Sequence, residues 1–207
     1  MVKIRDESIK KREISPPPPA IHIYMPGGKS FLEERYHKLG LKKFDRIIPS
    51  DEKKVEAGTS NDIDFFIREN AFDKMLLHCY EMALNGKEAL GFMIGDIRKW
   101  DNEYSLVYDV VTASLESSPT YVRFGREAFE ELFDKLDEIE YEYIILGWYH
   151  SHVGYTSFMS NIDLETQKKY FNKPFHASIV IDPINMETKA FKLIDSKCIE
   201  IPYAIFM

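Results

Sequence analysis

An apolar run followed by two histidines makes up the segment Tyr143-Ile-Ile-Leu-Gly-Trp-Tyr-His-Ser-His152. The run is typical of a buried central strand, which we predict over residues 143–149 with His150 directly after it. Residues two apart in an extended segment point to the same side, so His150 and His152 face one point. The sequence therefore predicts a central strand that presents two imidazoles together.

A polar motif follows in Ser160-Asn-Ile-Asp163. Its pattern is that of a capping box and predicts a helix with Ser160 as N-cap that runs to about Phe171. Positions 160 and 163 share one face of the first turn, so the hydroxyl and the carboxylate both point towards the histidines. The capping role and a role in a site are compatible.

His150, His152 and Asp163 together form a candidate zinc site. Catalytic zinc ions typically take three N or O ligands from the protein and leave a fourth position for water. We therefore expect one Zn²⁺ per chain, held by these three residues. A His-x-His after a strand is also common as a structural or incidental feature. The prediction depends on the conjunction of His-x-His, seven intervening residues and Ser-x-x-Asp.

This conjunction resembles the JAMM signature of the MPN-domain metalloproteases, which is His-x-His, seven residues, Ser-x-x-Asp and a glutamate well upstream. Glu88 fits the upstream position, because it precedes the apolar run Ala89-Leu-Gly-Phe-Met-Ile94. Residues 176–183 and 189–193 look like the two closing strands of that family. The resemblance covers about residues 61–207.

The resemblance implies a zinc hydrolase that cleaves isopeptide bonds in conjugates of ubiquitin or a ubiquitin-like protein. In such a site Glu88 takes a proton from the attacking water and returns it to the departing amine. The Ser160 hydroxyl donates to the oxyanion of the tetrahedral intermediate. The implied fold is an α/β (α+β) domain, a mixed sheet with flanking helices layered as in cytidine deaminases.

Other classes share part of this pattern. A metallohydrolase of small peptides or small molecules would use the same residues, and a metal-binding MPN scaffold subunit would keep the fold without the activity. A zinc nucleobase deaminase would need His-x-Glu and Pro-Cys-x-x-Cys, which are both absent. The motif departs from the family at Val153, where proline is common, and this bears on the rigidity of the loop.

Several residues compete with these assignments. Glu81, Glu103 and Glu116 are alternative general bases on composition alone, and Glu88 is preferred because of its place before an apolar strand. His176 is a candidate fourth ligand. Its position at a strand start beside an aromatic residue favours a structural role, or one that orients another residue.

The remaining pattern alternates strands and helices, which indicates a mixed sheet with helices packed on it. An Asn70-capped helix extends to about Leu84. The other predicted strands are 63–68, the strand after Glu88, 104–114, 120–124, 176–182, 187–194 and 199–206, and the other predicted helix is 126–139.

The chain divides near residue 60 into an N-terminal extension, 1–60, and a catalytic domain, 61–207. The extension contains the proline tract Pro16–Pro19, which favours an extended spacer. The sequence of the extension also predicts a strand over 21–25, a helix over 30–39 capped by Ser30, and a polar linker over 51–60.

Charge and composition limit the partners. Residues 1–60 hold 13 Lys and Arg against 9 Asp and Glu, whereas residues 61–207 hold 14 against 25. Such an acidic domain repels phosphates, so we expect no nucleic-acid partner. No apolar run approaches the ~18 residues of a membrane helix, and we expect no membrane association. Cys79 and Cys198 have no CxxC pattern, which indicates reduced thiols in the cytoplasm.

Overall fold

The computed structural model describes residues 29–44, 63–112 and 143–207. The predicted strands 21–25 and 120–124, the helix 126–139, the proline tract, the linker and Glu116 lie outside these residues. Three helices are described: α1 (Lys29–Lys38), α2 (Glu69–Leu84) and α3 (Asn161–Tyr170). The strands are β1 (Phe65–Arg68), β2 (Leu90–Lys99), β3 (Glu103–Thr112), β4 (Ile144–Ser151), β5 (Ala177–Asp182), β6 (Glu187–Ile194), β7 (Lys197–Ile201) and β8 (Ala204–Phe206).

The eight strands form one mixed sheet in the order β7-β6-β5-β4-β2-β3-β1-β8. β2 pairs antiparallel with β3 and β4, whereas β4 and β5 are parallel. β4 therefore lies at the centre of the sheet with the start of β2 beside its end, as the apolar run predicts. The described architecture is α+β, which confirms the predicted fold class.

The sheet curls until its two edges approach each other. Pro202 interrupts the single strand predicted over 199–206, and the resulting strands β7 and β8 lie at opposite edges. Only residues 202 and 203 connect them, so the edges are within about 11 Å of each other. An ion pair crosses the same gap, since Lys192 Nζ on β6 lies 2.7 Å from Asp64 Oδ2, just before β1.

The two faces of the sheet carry separate apolar clusters. The larger cluster lies under α2 and includes Phe72, Met75 and Cys79 of that helix with Tyr149 of β4. On the other face, Trp148 packs in a cluster with residues around α3. Because neighbouring strand residues point to opposite faces, His150 lies on the α3 face with Trp148.

A bulge adjusts the centre of the sheet close to the histidines. The pairing of β2 with β4 shifts register between Met93 and Ile94. Gly147 has φ +147°, and a Cβ at this position would lie 1.8 Å from the Ala177 carbonyl oxygen. Only glycine allows β4 and β5 to approach so closely here. The adjacent residue Trp148 is then directed onto the α3 face.

Three further local predictions were wrong. Asn70 does not cap α2, because the helix begins at Glu69 and its N-cap is Arg68, with no side-chain cap hydrogen bond. Ser30 lies inside α1 rather than at its cap. His150 is within β4 rather than after it, since pairing with β2 and β5 continues to the end of the strand.

The boundary near residue 60 stays a prediction, but α1 packs against the rest of the chain. Phe31, Leu32 and Tyr36 belong to the larger apolar cluster. The Tyr36 hydroxyl donates to the carbonyl of Pro183 at 3.0 Å. The described part of the extension is therefore a component of the core. No helix among the described residues is long and apolar enough to cross a membrane.

Candidate metal centre

Three predicted site residues converge at the end of β4. His150 Nε2 lies 3.4 Å from Asp163 Oδ2, and His152 Nε2 lies 3.6 Å from the same oxygen. One ligand atom from each residue lies within 4.8 Å of the other two. All three residues are buried. Among the described residues this is the one such group of histidine, cysteine and carboxylate side chains.

Asp163 is directed to the histidines by the capping box at the start of α3. Its backbone N–H donates to Ser160 Oγ at 3.2 Å, and its Oδ2 accepts from the Ser160 backbone N–H at 2.7 Å. The sequence predicted this box, and the structure confirms it. The same carboxylate oxygen faces both imidazoles, so a single rotamer of Asp163 serves both the helix cap and the candidate metal site.

His150 is oriented by ring packing. It is 2% exposed, and among the described residues neither ring nitrogen makes a hydrogen bond, with Nε2 in only the 3.4 Å contact with Asp163 Oδ2. Its ring stacks on Trp148 with centroids 4.4 Å apart and an interplanar angle of 15°. The Trp148 indole N–H donates to Gln167 Oε1 at 2.7 Å, and Gln167 Nε2 donates to the Phe171 carbonyl at 2.8 Å. α3 therefore fixes Trp148 by a hydrogen bond, and Trp148 in turn orients the His150 ring by stacking on it.

His152 is oriented by a hydrogen bond. Its Nδ1 lies 2.8 Å from the carbonyl oxygen of Thr156, which is only an acceptor, so the assigned tautomer carries its proton on Nδ1. Nε2 then faces Asp163 Oδ2 at 3.6 Å, and in the neutral ring it carries the lone pair that a metal would take. The backbone N–H of His152 also donates to the Ile181 carbonyl at 2.9 Å, which extends the pairing of β4 with β5.

The pKa shifts of two of the three residues, His150 and Asp163, favour a bound cation. Burial lowers the pKa of His150, against the attraction of Asp163. Burial also disfavours the charged form of His152, but its bonds to Asp163 and Thr156 raise the pKa overall. Burial opposes ionisation of Asp163, yet the histidines and Ser160 hold its pKa well below the usual range. The cluster thus offers an ionised carboxylate and a neutral imidazole, as metal binding requires.

The donor set fits a zinc ion. Two imidazoles and one carboxylate are ligands that zinc accepts in catalytic sites, and three of them leave a fourth position open. A buried imidazole with both nitrogens unpaired is rare in proteins, because the loss of water without a replacement costs free energy. A metal at His150 Nε2 would supply the missing partner.

Glu88 lies next to this cluster. In the antiparallel pairing of β2 with β4, Leu90 is opposite His150. The pairing continues one step, since Ser151 N–H donates to the Ala89 carbonyl at 3.0 Å and Ala89 N–H donates to Ser151 Oγ at 2.7 Å. The next step places Glu88 across from His152. Glu88 is 8% exposed, and its charge contributes to the raised pKa of His152.

The other candidate general bases and the candidate fourth ligand that the structure describes do not join the cluster. Glu81 is exposed on α2, which packs on the opposite face of the sheet. Glu103 is exposed and pairs with Lys99 at the far end of β2, about 30 Å along the strand from Leu90. His176 is occupied as well, since its Nδ1 accepts from Lys173 N–H at 3.2 Å and its ring bonds the Ile145 backbone. The structure gives His176 the structural role that was predicted.

Three residues of this site were not identified from the sequence. Gln167 follows Asp163 by four positions, so it shares that helix face, but the pattern did not reveal its bond to Trp148. Ser151 lies between the two histidines, and the pattern did not reveal that its hydroxyl fixes Ala89, beside Glu88. Asp182 ends a buried strand before Pro183, a signal for a turn, and its carboxylate accepts bonds from the loop that follows His152.

Comparison with known proteins adds an independent observation. A family model described as JAB1/Mov34/MPN/PAD-1 ubiquitin protease matches residues 64–173, just over half of the chain. COP9 signalosome complex subunit 5 of Kluyveromyces lactis is 33% identical over 138 residues, covering 61% of this chain and 35% of the relative. The 26S proteasome regulatory subunit RPN11 of Candida glabrata is 30% identical, covering 69% of this chain and 49% of the relative.

Two further matches agree with these. The ubiquitin carboxyl-terminal hydrolase RPN11 of Saccharomyces cerevisiae is 30% identical over 139 residues, covering 63% of this chain and 44% of the relative. The solution structure of protein DSY2949 from Desulfitobacterium hafniense superimposes with a TM-score of 0.51 at 20% identity, covering 69% of this chain and 92% of that one. The chain spans less than half the length of these curated relatives, and the structural match shows the shared fold.

Proposed function

Since the chain belongs to the JAB1/Mov34/MPN/PAD-1 ubiquitin protease family, we propose that it is a zinc-dependent isopeptidase. The observation that carries the proposal is the convergence of His150, His152 and Asp163, with Glu88 placed beside them. These four residues supply a metal site and a general base in one buried place. The family description and the name of one matched relative support a hydrolytic activity.

His150, His152 and Asp163 would hold one zinc ion per chain through two imidazole nitrogens and a carboxylate oxygen. Bound zinc supplies a Lewis acid that polarises the scissile carbonyl and acidifies water. Each donor is oriented by a separate contact. The capping box fixes Asp163, the Trp148 stack fixes His150 and the Thr156 carbonyl fixes His152.

Glu88 and Ser160 carry the proton transfer and the charge stabilisation. Glu88 accepts a proton from the attacking water and gives it to the departing amine. The Ser160 oxygen already accepts from Asp163 N–H, so its own hydrogen is available to donate to an oxyanion. The half-buried position of Ser160 at the helix start lets a substrate carbonyl approach this hydroxyl.

The proposed substrates are conjugates in which ubiquitin or a ubiquitin-like protein is joined to a lysine. This choice is supported by the relative named a ubiquitin carboxyl-terminal hydrolase and by the description of the family. We propose the cytoplasm as the location, which fits the free thiols of Cys79 and Cys198.

The test compares two substrates on the same zinc-loaded protein. We expect cleavage of a diglycine-linked ubiquitin-like conjugate, loss of cleavage with chelator and recovery with zinc. A short free peptide of the same linkage sequence should be cleaved far more slowly. Equal cleavage of both would favour a metallohydrolase of small peptides, and no cleavage by a verified zinc-loaded protein would favour a scaffold.

A further inference from the structure

The loop between His152 and Ser160 is attached to a buried carboxylate on the neighbouring strand. Asp182, at the end of β5, is fully buried. Its Oδ1 accepts from Gly154 N–H at 3.1 Å, and its Oδ2 accepts from Thr156 N–H at 2.7 Å. These two bonds hold the part of the loop that directly follows His152.

The same carboxylate also holds the turn between β5 and β6. Oδ1 accepts from the backbone N–H groups of Ile184 at 2.9 Å and Asn185 at 3.1 Å, and Oδ2 accepts from Asn185 Nδ2 at 2.8 Å. A carboxylate with this many N–H donors is tied firmly to the backbone. Asp182 therefore fixes the loop to the rigid edge of a hairpin.

Thr156 connects this carboxylate to the candidate metal centre. Its φ of +65° is in the left-handed region, which a threonine adopts only when its surroundings compensate. In that conformation its N–H reaches Asp182 and its carbonyl reaches His152 Nδ1 at 2.8 Å. One residue thus transmits the position of a buried carboxylate to an imidazole ring.

We propose that Asp182 is a positioning residue for the metal centre, which acts through the Thr156 peptide to keep the His152 proton on Nδ1 and Nε2 directed at the metal. The proposal rests on the proposed zinc site. It also explains how this chain keeps the loop ordered with Val153 directly after His152, because Asp182 fixes the backbone at residues 154 and 156. Groups that orient a metal-bound histidine typically contribute 10–100-fold to metal affinity.

The first test is the ring tautomer of His152 in the wild-type protein, measured by nitrogen NMR of the imidazoles. We expect the proton on Nδ1, in slow exchange with solvent, in the metal-free protein at alkaline pH and in the zinc-loaded protein. A proton on Nε2 in the metal-free protein would overturn the proposal. This measurement needs no variant and does not depend on activity.

The second test compares zinc affinities by competition with a chromophoric chelator. Asp182→Asn replaces one acceptor oxygen by a donor group, so one loop bond and at least one hairpin bond are lost whichever oxygen is replaced. We expect its zinc affinity to fall about 10–100-fold and the His152 Nδ1–H signal to exchange faster.

A matched variant completes the design. Asn185→Ala removes a bond to the same Asp182 oxygen on the hairpin side and leaves the loop bonds in place. It should bind zinc within about threefold of wild type. If Asn185→Ala lost as much affinity as Asp182→Asn, Asp182 would act on the hairpin and not on His152. A wild-type chain without zinc affinity would instead refute the proposed function.

Discussion

The two histidines of the candidate metal centre are held by different means. His150 is supported by packing, through a stack on Trp148 whose indole is bonded to Gln167; these residues with Phe171 form the packed support. His152 is supported by hydrogen bonds from the loop support, which comprises residues 153–159 and Asp182. Two ligands only two residues apart therefore depend on separate parts of the molecule.

The difference has a physical consequence. Packing is non-directional, so damage to the packed support is expected to lower stability before it changes ring orientation. A hydrogen bond sets direction, so damage to the loop support is expected to lower metal affinity while most of the core remains. The histidines held by the two supports both face Asp163, whose carboxylate is positioned by the helix cap.

The largest effect is expected where either histidine is removed. His152→Ala leaves two of three ligands, so we expect the protein to lose its zinc and all measurable activity, as seen by metal analysis and conjugate cleavage. His176→Gln is the matched control, because the His176 ring is bonded to the backbone of Lys173 and lies outside the cluster of three ligands, and it should retain zinc. Full zinc retention by His152→Ala would remove the distinction between the two supports.

A substitution of Ser160 tests the helix cap that positions Asp163, the residue that both histidines face. Ser160→Ala should keep the zinc but lose about 10²–10³-fold in turnover if the hydroxyl serves the oxyanion. The loss of the helix cap adds only about 1 kcal/mol of instability, too little to explain inactivity. Turnover is measured on the zinc-loaded variant, and a value close to wild type would limit Ser160 to capping.

Gln167 tests the packed support. Gln167→Leu removes the bonds that Gln167 makes to the buried Trp148 N–H and to the Phe171 carbonyl, at about 1 kcal/mol for each bond. We expect a clear loss of stability in thermal unfolding, with a smaller loss of zinc affinity than in Asp182→Asn. Asn172→Ala removes an exposed bond at the same helix end and should change little. A larger loss of zinc affinity in Gln167→Leu than in Asp182→Asn would contradict the distinction between the packed support and the loop support.

The smallest effect at neutral pH concerns His176, which contacts Phe171 of the packed support with ring centroids 5.6 Å apart. Burial, with repulsion from Lys173, lowers the pKa of His176 from 6.5 to about 4. The neutral ring therefore stabilises the fold fully above pH 6.5, and this contribution is lost as the pH falls through 4. Denaturant unfolding of wild type and His176→Gln should converge over that range, and parallel curves would show no such contribution.

The packed support was partly visible in the sequence, whereas the loop support was not. The apolar run before His150 predicts a buried strand, and Ser160 with Asp163 predicts the helix cap, since both patterns are local. The bonds from Gly154 and Thr156 to Asp182 join residues 26 or more positions apart. Backbone donors leave no pattern in the side chains, so only the fold reveals them.

The wrong predictions have similar causes. Asn70 is a favourable cap residue, but the continuous pairing of β1 with β8 up to Arg68 places the helix start at Glu69. A single strand over 199–206 fits the apolar pattern, yet Pro202 cannot donate to a ladder, and the two halves lie at opposite edges. In both cases long-range pairing determines where a local element begins or ends.

The most direct test of the account is the zinc content and turnover of Glu88→Gln, because the central claim separates a three-residue metal site from a neighbouring base. Amide and carboxylate have nearly the same shape, so the fold and one zinc per chain should be retained. Turnover on a conjugate cleaved by wild type should fall about 10²–10⁴-fold. Near-full turnover, or loss of the zinc, would contradict the assignment of Glu88 as the base.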